Sequence, residues 1–194
     1  TNAGPIRVKE KVVLGDYALD ALDPTQRSFV ERVLKWAKEI VCVYKEVAQT
    51  GRHRALPQLR TWLCGSAGSG KSTTLKTIVQ HVRLLFQKED VPATVELTAY
   101  TGVAAFNIGF GAKTACSSFQ IFPQATWKKE LAGEALRKLE RQWESVVLLI
   151  VDEISFIGRA FLARMHFRLN QGKRRFFSQA GLDPNQFDFG NISM

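Results

Sequence analysis

The eight residues Gly65-Ser66-Ala67-Gly68-Ser69-Gly70-Lys71-Ser72 set glycines, a lysine and a hydroxyl at the spacing GxxxxGKS, which suits one chemistry, the holding of a polyphosphate. Such a loop needs a backbone free to curl with its amides inward, a cation on the outer phosphates and a hydroxyl for magnesium. Gly65, Gly68 and Gly70 permit dihedrals closed to residues with a Cβ. Lys71 can reach the β and γ phosphates and Ser72 can ligate Mg2+, with Ala67, Ser69 and Thr73 completing the contacts to the nucleotide. The alternative is a Gly/Ser-rich linker that happens to hold a lysine.

A second chemical pair is Asp152-Glu153, which follows the apolar run Val146-Val147-Leu148-Leu149-Ile150-Val151. That run has the length of one strand buried on both faces, as central parallel strands are. Carboxylates at the C-terminal end of such a strand lie where open α/β sheets bind ligands; an acidic surface turn is the other reading. Asp152 can hold the metal through a water while Ser72 binds it directly, and Glu153 can take the proton from a water attacking the γ-phosphate. Lys71, Asp152 and Glu153 are therefore the candidate catalytic residues of a nucleotide hydrolase. A small-molecule kinase has no need to activate water, and DxxG and NKxD, the marks of a guanine-specific GTPase, are missing.

The elements around these residues must position them. Leu59-Arg60-Thr61-Trp62-Leu63-Cys64 reads as a short buried strand, and residues 72–87 carry Leu75, Ile78, Val79, Val82, Leu85 and Phe86 at helical spacing. Strand, glycine loop and helix are the context a phosphate loop requires, and they argue against the linker. Asp23 and Pro24 fit the N-cap and first position of an earlier helix with Gln26 in its first turn; its apolar stripe includes Phe29, Val30, Val33, Leu34, Ala37, Val41, Tyr44 and Val47. Residues 1–22 read as an extended lead-in and 50–58 as a loop. Residues 93–99 read as a second strand, followed by a small-residue run, 101–109, in which Gly102 can open a tight turn. Thr114, Ser117 and Ser118 are candidate phosphate donors or simply solvated hydroxyls. Residues 127–144 read as an amphipathic helix with Leu131, Ala135, Leu139 and Trp143 inward. Between Ile154 and Leu182 there is no acidic residue; Arg164, Arg168 and Arg175 could share a helix face, either touching phosphate or solvated, before a basic loop.

The chain has 194 residues, 45% of them hydrophobic, enough to bury one core. Its 27 basic and 18 acidic residues give a net charge of +9, which favours a polyanionic partner without naming it. No stretch has the composition of a membrane span. Cys42, Cys64 and Cys116 lack metal-ligand spacing and read as reduced, intracellular thiols. Thr1 in place of methionine leaves any targeting peptide out of view.

Taken together the motifs resemble the Pif-type (petite integration frequency) DNA helicases of superfamily one, which move 5′ to 3′, over residues 20–192. Leu22-Asp23-Pro24-Thr25-Gln26 is similar to the family's adenine-reading Q motif, with Gln26 as the reader, and 65–72 to its motif I. Tyr100-Thr101-Gly102-Val103-Ala104-Ala105-Phe106-Asn107-Ile108-Gly109 matches motif Ia, which in the family lines the single-strand path. This implies nucleic-acid contacts at Thr101, Gly102 and Asn107, with Thr114 and Ser117 beyond. Asp152-Glu153-Ile154-Ser155 with Ile157-Gly158-Arg159 resembles motif II and its trailing helix. The family usually has Thr-x-His-Ser where this chain has Thr114-Ala115-Cys116-Ser117, so the contact of that histidine is not expected here. Phe189-Gly190-Asn191-Ile192 looks like the lead into the strand of motif III.

The resemblance implies an α/β fold of RecA-like kind with a mainly parallel sheet, divided as lead-in 1–22, ATP-binding domain 23–170, and basic loop and motif III lead 171–194. It implies an ATP-dependent 5′-3′ DNA helicase that acts in repair, recombination and telomere maintenance on single-stranded DNA and forked duplex. A nuclear or mitochondrial location follows if the source is a eukaryote. The motif III glutamine, the second RecA-like domain and the arginine fingers would lie beyond Met194, so this chain alone is expected to bind Mg-ATP weakly and to turn it over slowly or not at all. Two rivals stand beside this reading: a P-loop ATPase with a non-nucleic-acid target, and a non-catalytic nucleic-acid-binding module.

Overall fold

The computed structural model describes residues 17–122, 126–127 and 130–194; most of the expected lead-in lies outside them. A long helix, α1 (Pro24–Thr50), begins as the sequence predicts: the Asp23 carboxylate accepts from the amides of Thr25 and Gln26, Pro24 takes the first position, and Gly51 closes the helix at φ 67°. Its buried face includes Val30, Val33, Ala37 and Val41, together with Trp36, Ile40 and Val43, which the expected stripe did not contain. Trp36 is held by donating its indole N–H to the Pro57 carbonyl at 2.9 Å.

After the glycine loop come α2 (Lys71–Lys88), β1 (Thr94–Ala99), α3 (Gly102–Ile108), β2 (Lys113–Thr114), α4 (Ala115–Ser118), α5 (Gly133–Trp143), β3 (Val146–Asp152), α6 (Arg159–Gly172) and α7 (Arg174–Ala180). The strands form a parallel sheet in the order β2-β1-β3, with Ala99 opposite both Thr114 and Asp152. The α/β class and the parallel sheet are as expected. One core packs α1 and α2 onto Val95, Leu97 and Ala99 of β1. Another joins Leu139 and Trp143 of α5, Met165 and Leu169 of α6, and Val146 and Leu149 of β3. Glu96, between the inward residues of β1, accepts from Lys113 at 3.2 Å, Ser118 at 3.1 Å and Gln142 at 3.1 Å, tying β2, α4 and α5 to one carboxylate.

Several expectations give way. Residues 59–64 are no buried strand: Leu59, Thr61 and Leu63 are half-buried, while Trp62 and Cys64 are exposed. The segment is extended, and among the described residues its backbone pairs with residues 192–194. Ser193 bridges Leu148 of β3 in parallel, and Thr61 N–H donates to the Met194 carbonyl while Met194 N–H donates to Leu59, the pattern of a parallel pair. The small-residue run is not a turn but helix α3, and Gly102 is its first residue with open space around its Cα. Helix α5 starts only at Gly133, whose φ of 57° interrupts the continuous helix expected from Trp127; residues 128 and 129 of that expectation lie outside the described residues. The expected basic loop is helix α7, so Arg164, Arg168 and Arg175 do not share a face. Arg164 and Arg168 lie over the Trp127 ring, 5.1 and 4.3 Å from its centre, and Arg175 pairs with Glu140 at 3.8 Å. The cysteines are free, as expected.

Lys173, between α6 and α7, is 3% exposed, and its ammonium donates to the Glu144 carbonyl at 2.9 Å. Burial pushes its pKa from the ordinary 10.5 down to about 7, against a smaller opposing pull from Glu144. Between those two values the unfolded chain binds more protons than the folded one, so this lysine makes stability rise with pH, by at most about 1.4 kcal/mol per pH unit. Urea denaturation at pH 7.0 and 9.5 is expected to show a rise in the wild type that is smaller in Lys173→Met; equal pH dependence in the two proteins would contradict the buried-amine account.

Candidate nucleotide site

Because β1, β2, β3, residues 192–194 and residues 59–61 all run parallel, their C-terminal ends meet one edge of the sheet. That edge carries Thr114 at the end of β2, Tyr100 after β1, Asp152 at the end of β3, and the glycine loop after the extended segment. The sequence-predicted chemical residues, scattered over the chain, are thereby brought to a common rim.

Within the loop, Gly68 and Gly70 adopt φ of 76° and 77°, the left-handed region that a Cβ disfavours. Gly65 has no such φ; a Cβ there would meet the Ser69 hydroxyl at 2.4 Å, so that side chain would have to shift. The Lys71 ammonium donates to the carbonyls of Gly65 and Ser66, each at 2.7 Å, so the lysine sits across the mouth of the curl. Helix α2 opens immediately after, with the Thr74 hydroxyl donating back to the Gly70 carbonyl at 3.0 Å. Ser72 and Thr73 are exposed in its first turn. Their amides and that of Lys71 have no partner further up the helix, and the aligned peptide dipoles of 18 residues add a partial positive charge at this end.

Gln26 is far away in sequence but joins this loop. Its side-chain amide donates to the Ser69 carbonyl at 2.9 Å, and a Cβ at Gly70 would stand 2.5 Å from the same nitrogen. The residue expected to read adenine thus also touches the phosphate loop.

Asp152 is half-buried at the end of β3, and Glu153 is exposed. Glu153 has φ 55° and ψ 39°, left-handed for a residue with a long side chain, because the strand must turn at once into the 3-10 turn Ile154–Phe156. Such strain is of order 1–3 kcal/mol and persists where surrounding structure enforces it. The bond from Phe156 N–H to the Glu153 carbonyl, 3.0 Å, is part of that enforcement. No three His, Cys, Asp or Glu side chains among the described residues could hold a metal by themselves. Ser72 and Asp152 are the donor types that Mg2+ takes when substrate phosphates and water supply the remaining ligands.

Of the nucleic-acid candidates, Thr101, just past β1, and Thr114, at the end of β2, stand on this rim. The Thr101 hydroxyl caps α3 by accepting from Ala104 N–H at 3.1 Å, and the Thr114 hydroxyl caps α4 by accepting from Ser117 N–H at 3.3 Å. Each hydroxyl keeps its own proton to donate. Gly102, Asn107 and Ser117 are exposed. Cys116, at the place of the family's histidine, is half-buried, and burial raises its thiol pKa.

The residues that sequence reading missed are those that fix the loop from behind. Arg60 donates to the carbonyls of Ile192 and Asp188, the latter at 3.2 Å, and lies over the Phe189 ring. The Gln58 side-chain amide N–H groups donate to two Asn191 acceptors, its side-chain oxygen at 2.6 Å and its backbone carbonyl at 2.8 Å. These partners are more than 125 residues apart, so no local pattern signals them.

Replacing Gly70 by Ala is expected to cost about 1–2 kcal/mol from the left-handed φ and to push Gln26 off the Ser69 carbonyl. Removing that hydrogen bond by Gln26→Ala costs about 1 kcal/mol. The double variant should therefore lose less than the sum of the two, as urea denaturation of all four proteins would show; strict additivity would mean that Gln26 and Gly70 do not share the contact.

Residues 37–181 match the family model of the PIF1-like helicases. The ATP-dependent DNA helicase PIF1 of Saccharomyces cerevisiae is 32% identical over 103 residues, 53% of this chain and 12% of the relative. RRM3 of the same species, also an ATP-dependent DNA helicase, is 32% identical over 130 residues, 67% of this chain and 16% of the relative. The chain thus spans less than a fifth of the length of these relatives. Among solved structures, unliganded Pif1 from Bacteroides sp aligns at 26% identity and a TM-score of 0.46, covering 80% of this chain and 29% of that one. Bacteroides Pif1 bound to ssDNA aligns at 23% and 0.43, covering 83% and 30%. Since the family model matches well over half of it, the chain belongs to the PIF1-like helicase family.

Proposed function

We propose that this chain is the ATP-binding part of an ATP-dependent 5′-3′ DNA helicase, with residues 23–170 as its RecA-like unit and 171–194 as the lead into motif III. The observation that supports it most is the meeting of the glycine loop, Gln26 and the Asp152-Glu153 pair at one sheet edge, in a chain of the PIF1-like helicase family. Unwinding by the whole protein is part of the proposal, since the relatives named as helicases are several times longer.

In this reading the loop amides and the start of α2 hold the ATP phosphates, and Lys71 leaves the Gly65 and Ser66 carbonyls for the outer phosphates. Gln26 selects the adenine. Ser72 and Asp152 hold Mg2+, which when bound neutralises charge on the β and γ phosphates. Glu153, preset in its left-handed turn, takes the proton of the attacking water. Thr101, Gly102, Asn107, Thr114 and Ser117 border the path of single-stranded DNA, and the partners are single-stranded DNA, forked duplex and a second RecA-like domain. A DNA substrate implies an intracellular site of action, nucleus or mitochondrion in a eukaryote. No described helix is long and apolar enough to cross a membrane.

Three measurements test the proposal. A fluorescent ATP analogue with Mg2+ should bind weakly, and Lys71→Ala should reduce the affinity at least about tenfold, the loss of one charge-assisted contact. Steady-state hydrolysis by this chain should be slow and should vanish in Glu153→Gln with binding retained. Rapid turnover abolished by Lys71→Ala would contradict the need for a second domain. A single-stranded oligonucleotide should bind with an affinity that falls with salt, and no binding at low salt would favour an ATPase with another target.

A further inference from the structure

The exposed face of α1 borders a groove of about 420 Å3. Lys35, Lys38, Glu39 and Cys42 form one wall; their i, i+3, i+4, i+7 spacing puts them on one stripe of the helix, and all four are exposed. Arg54 and Pro57, in the loop that follows α1, form the other wall. That loop is pinned along the helix at two points. The Trp36 indole N–H donates to the Pro57 carbonyl at 2.9 Å, and Arg54 donates to Glu46 through Nε at 3.1 Å and Nη2 at 2.9 Å. Both walls are thereby fixed before anything binds, which lowers the ordering cost of an occupant. The floor is apolar, made by Val43, Pro57 and the methylene stems of the lysines.

The charge of the lining narrows what that occupant is. Lys35, Lys38 and Arg54 are cationic against the one carboxylate of Glu39. Among the described residues the ion pairs of α1 engage Arg27, Glu31, Lys45 and Glu46, not Lys35 or Lys38. Glu46 takes the Nε and Nη2 donors of Arg54, and Nη1 remains for a further acceptor. Carboxylates carried on a partly apolar scaffold match this lining. A phosphate backbone matches it poorly, because Glu39 lies within the cationic stripe and repels it while the floor offers it no hydrogen bond. Position argues the same way: Lys35 is nine residues beyond Gln26, about 14 Å of helix away from the phosphate loop.

We propose that this groove docks an acidic, amphipathic peptide segment of a partner protein, its carboxylates on Lys35, Lys38 and Arg54 and an apolar side chain on the floor beside Pro57. Glu39 sets the register, since the peptide residue that faces it has to be neutral or basic. The site shares no residue with the nucleotide loop or the sheet rim, so it stands or falls separately from the ATP-binding reading.

The test uses a short fluorescein-labelled peptide of Asp-Asp-Leu repeats, read by polarisation on the whole chain at about 0.15 M salt, where charges more than about 8 Å apart are largely screened. Lys35→Glu and Lys38→Glu should each weaken binding at least about threefold, one exposed pair being lost and replaced by repulsion. Lys138→Glu makes the same change of charge on an exposed residue of α5, a helix that packs in the other core, and should stay within about twofold of wild type. Asparagine in place of the peptide's aspartates should abolish binding, and serine in place of its leucines should weaken it. In wild type the peptide should also slow alkylation of Cys42 by iodoacetamide, followed by mass spectrometry, without slowing that of Cys64, which is exposed beside the phosphate loop. That readout needs no variant, so it decides even if a substitution disturbs folding. No binding of the aspartate peptide, equal weakening in Lys38→Glu and Lys138→Glu, or no protection of Cys42 would overturn the proposal. So would a single-stranded oligonucleotide that displaces the peptide and itself protects Cys42, since the groove would then be a nucleic-acid contact.

Discussion

The placement of the phosphate loop depends on a narrow backbone connection. Residues 59–61, which lead into the loop, reach the sheet by backbone pairing with Met194, and residues 192–194 reach β3 by pairing Ser193 with Leu148. Side chains reinforce the tie, since Leu59 N–H donates to the Ser193 hydroxyl at 2.9 Å and Arg60 and Gln58 grip residues 188–192. The approach to this strand is conformationally expensive. Phe189, Gly190 and Asn191 are all left-handed, at φ 51°, 64° and 59°, and a Cβ on Gly190 would stand 2.7 Å from the Leu169 carbonyl. Two of those residues have a Cβ, at about 1–2 kcal/mol each. The bonds from Gly190 N–H to Asn170, 2.7 Å, and from Phe189 N–H to His166, 3.1 Å, with the full burial of Ile192, offset that cost. The stretch that resembles the lead into motif III is thus part of the frame that sets the loop against Asp152.

At the rim, the loop's polar groups are engaged with one another. Lys71 bonds two loop carbonyls and Gln26 bonds a third. A polyphosphate must exchange these contacts for its own, so binding trades internal hydrogen bonds for charge-assisted ones and gains chiefly from the stronger pairing of ammonium with phosphate. Under the proposed function Gln26 links the two ends of the nucleotide in the same way: the side chain proposed to read the base is the one that bonds the Ser69 carbonyl.

Much of this was legible in the sequence, for identifiable reasons. The capped start of α1, the helix after the loop, β1 and β3 are local features, and cap chemistry and apolar runs report them directly. The candidate chemical residues stand out because GxxxxGKS and a carboxylate pair after a buried strand have few other uses. Helix α3 was not legible, since small residues followed by Asn107 and Gly109 read equally well as a turn, and the cap at Thr101 gave it away only in three dimensions. The extended segment before the loop alternates half-buried and exposed side chains, and its apolar residues gave no sign that its partner would be the far end of the chain. The left-handed Glu153 had no sequence signal either, because its strain is imposed by the turn that follows it.

The central claim is that nucleotide phosphates replace the loop's internal contacts. Backbone amide hydrogen exchange over residues 65–74, with and without Mg-ATP, reads this directly. The account predicts slower exchange at the loop amides and at Lys71, Ser72 and Thr73 when Mg-ATP is bound, with no slowing in Lys71→Ala under the same conditions. Binding of Mg-ATP by equilibrium dialysis with those amides exchanging as fast as in the free protein would contradict it.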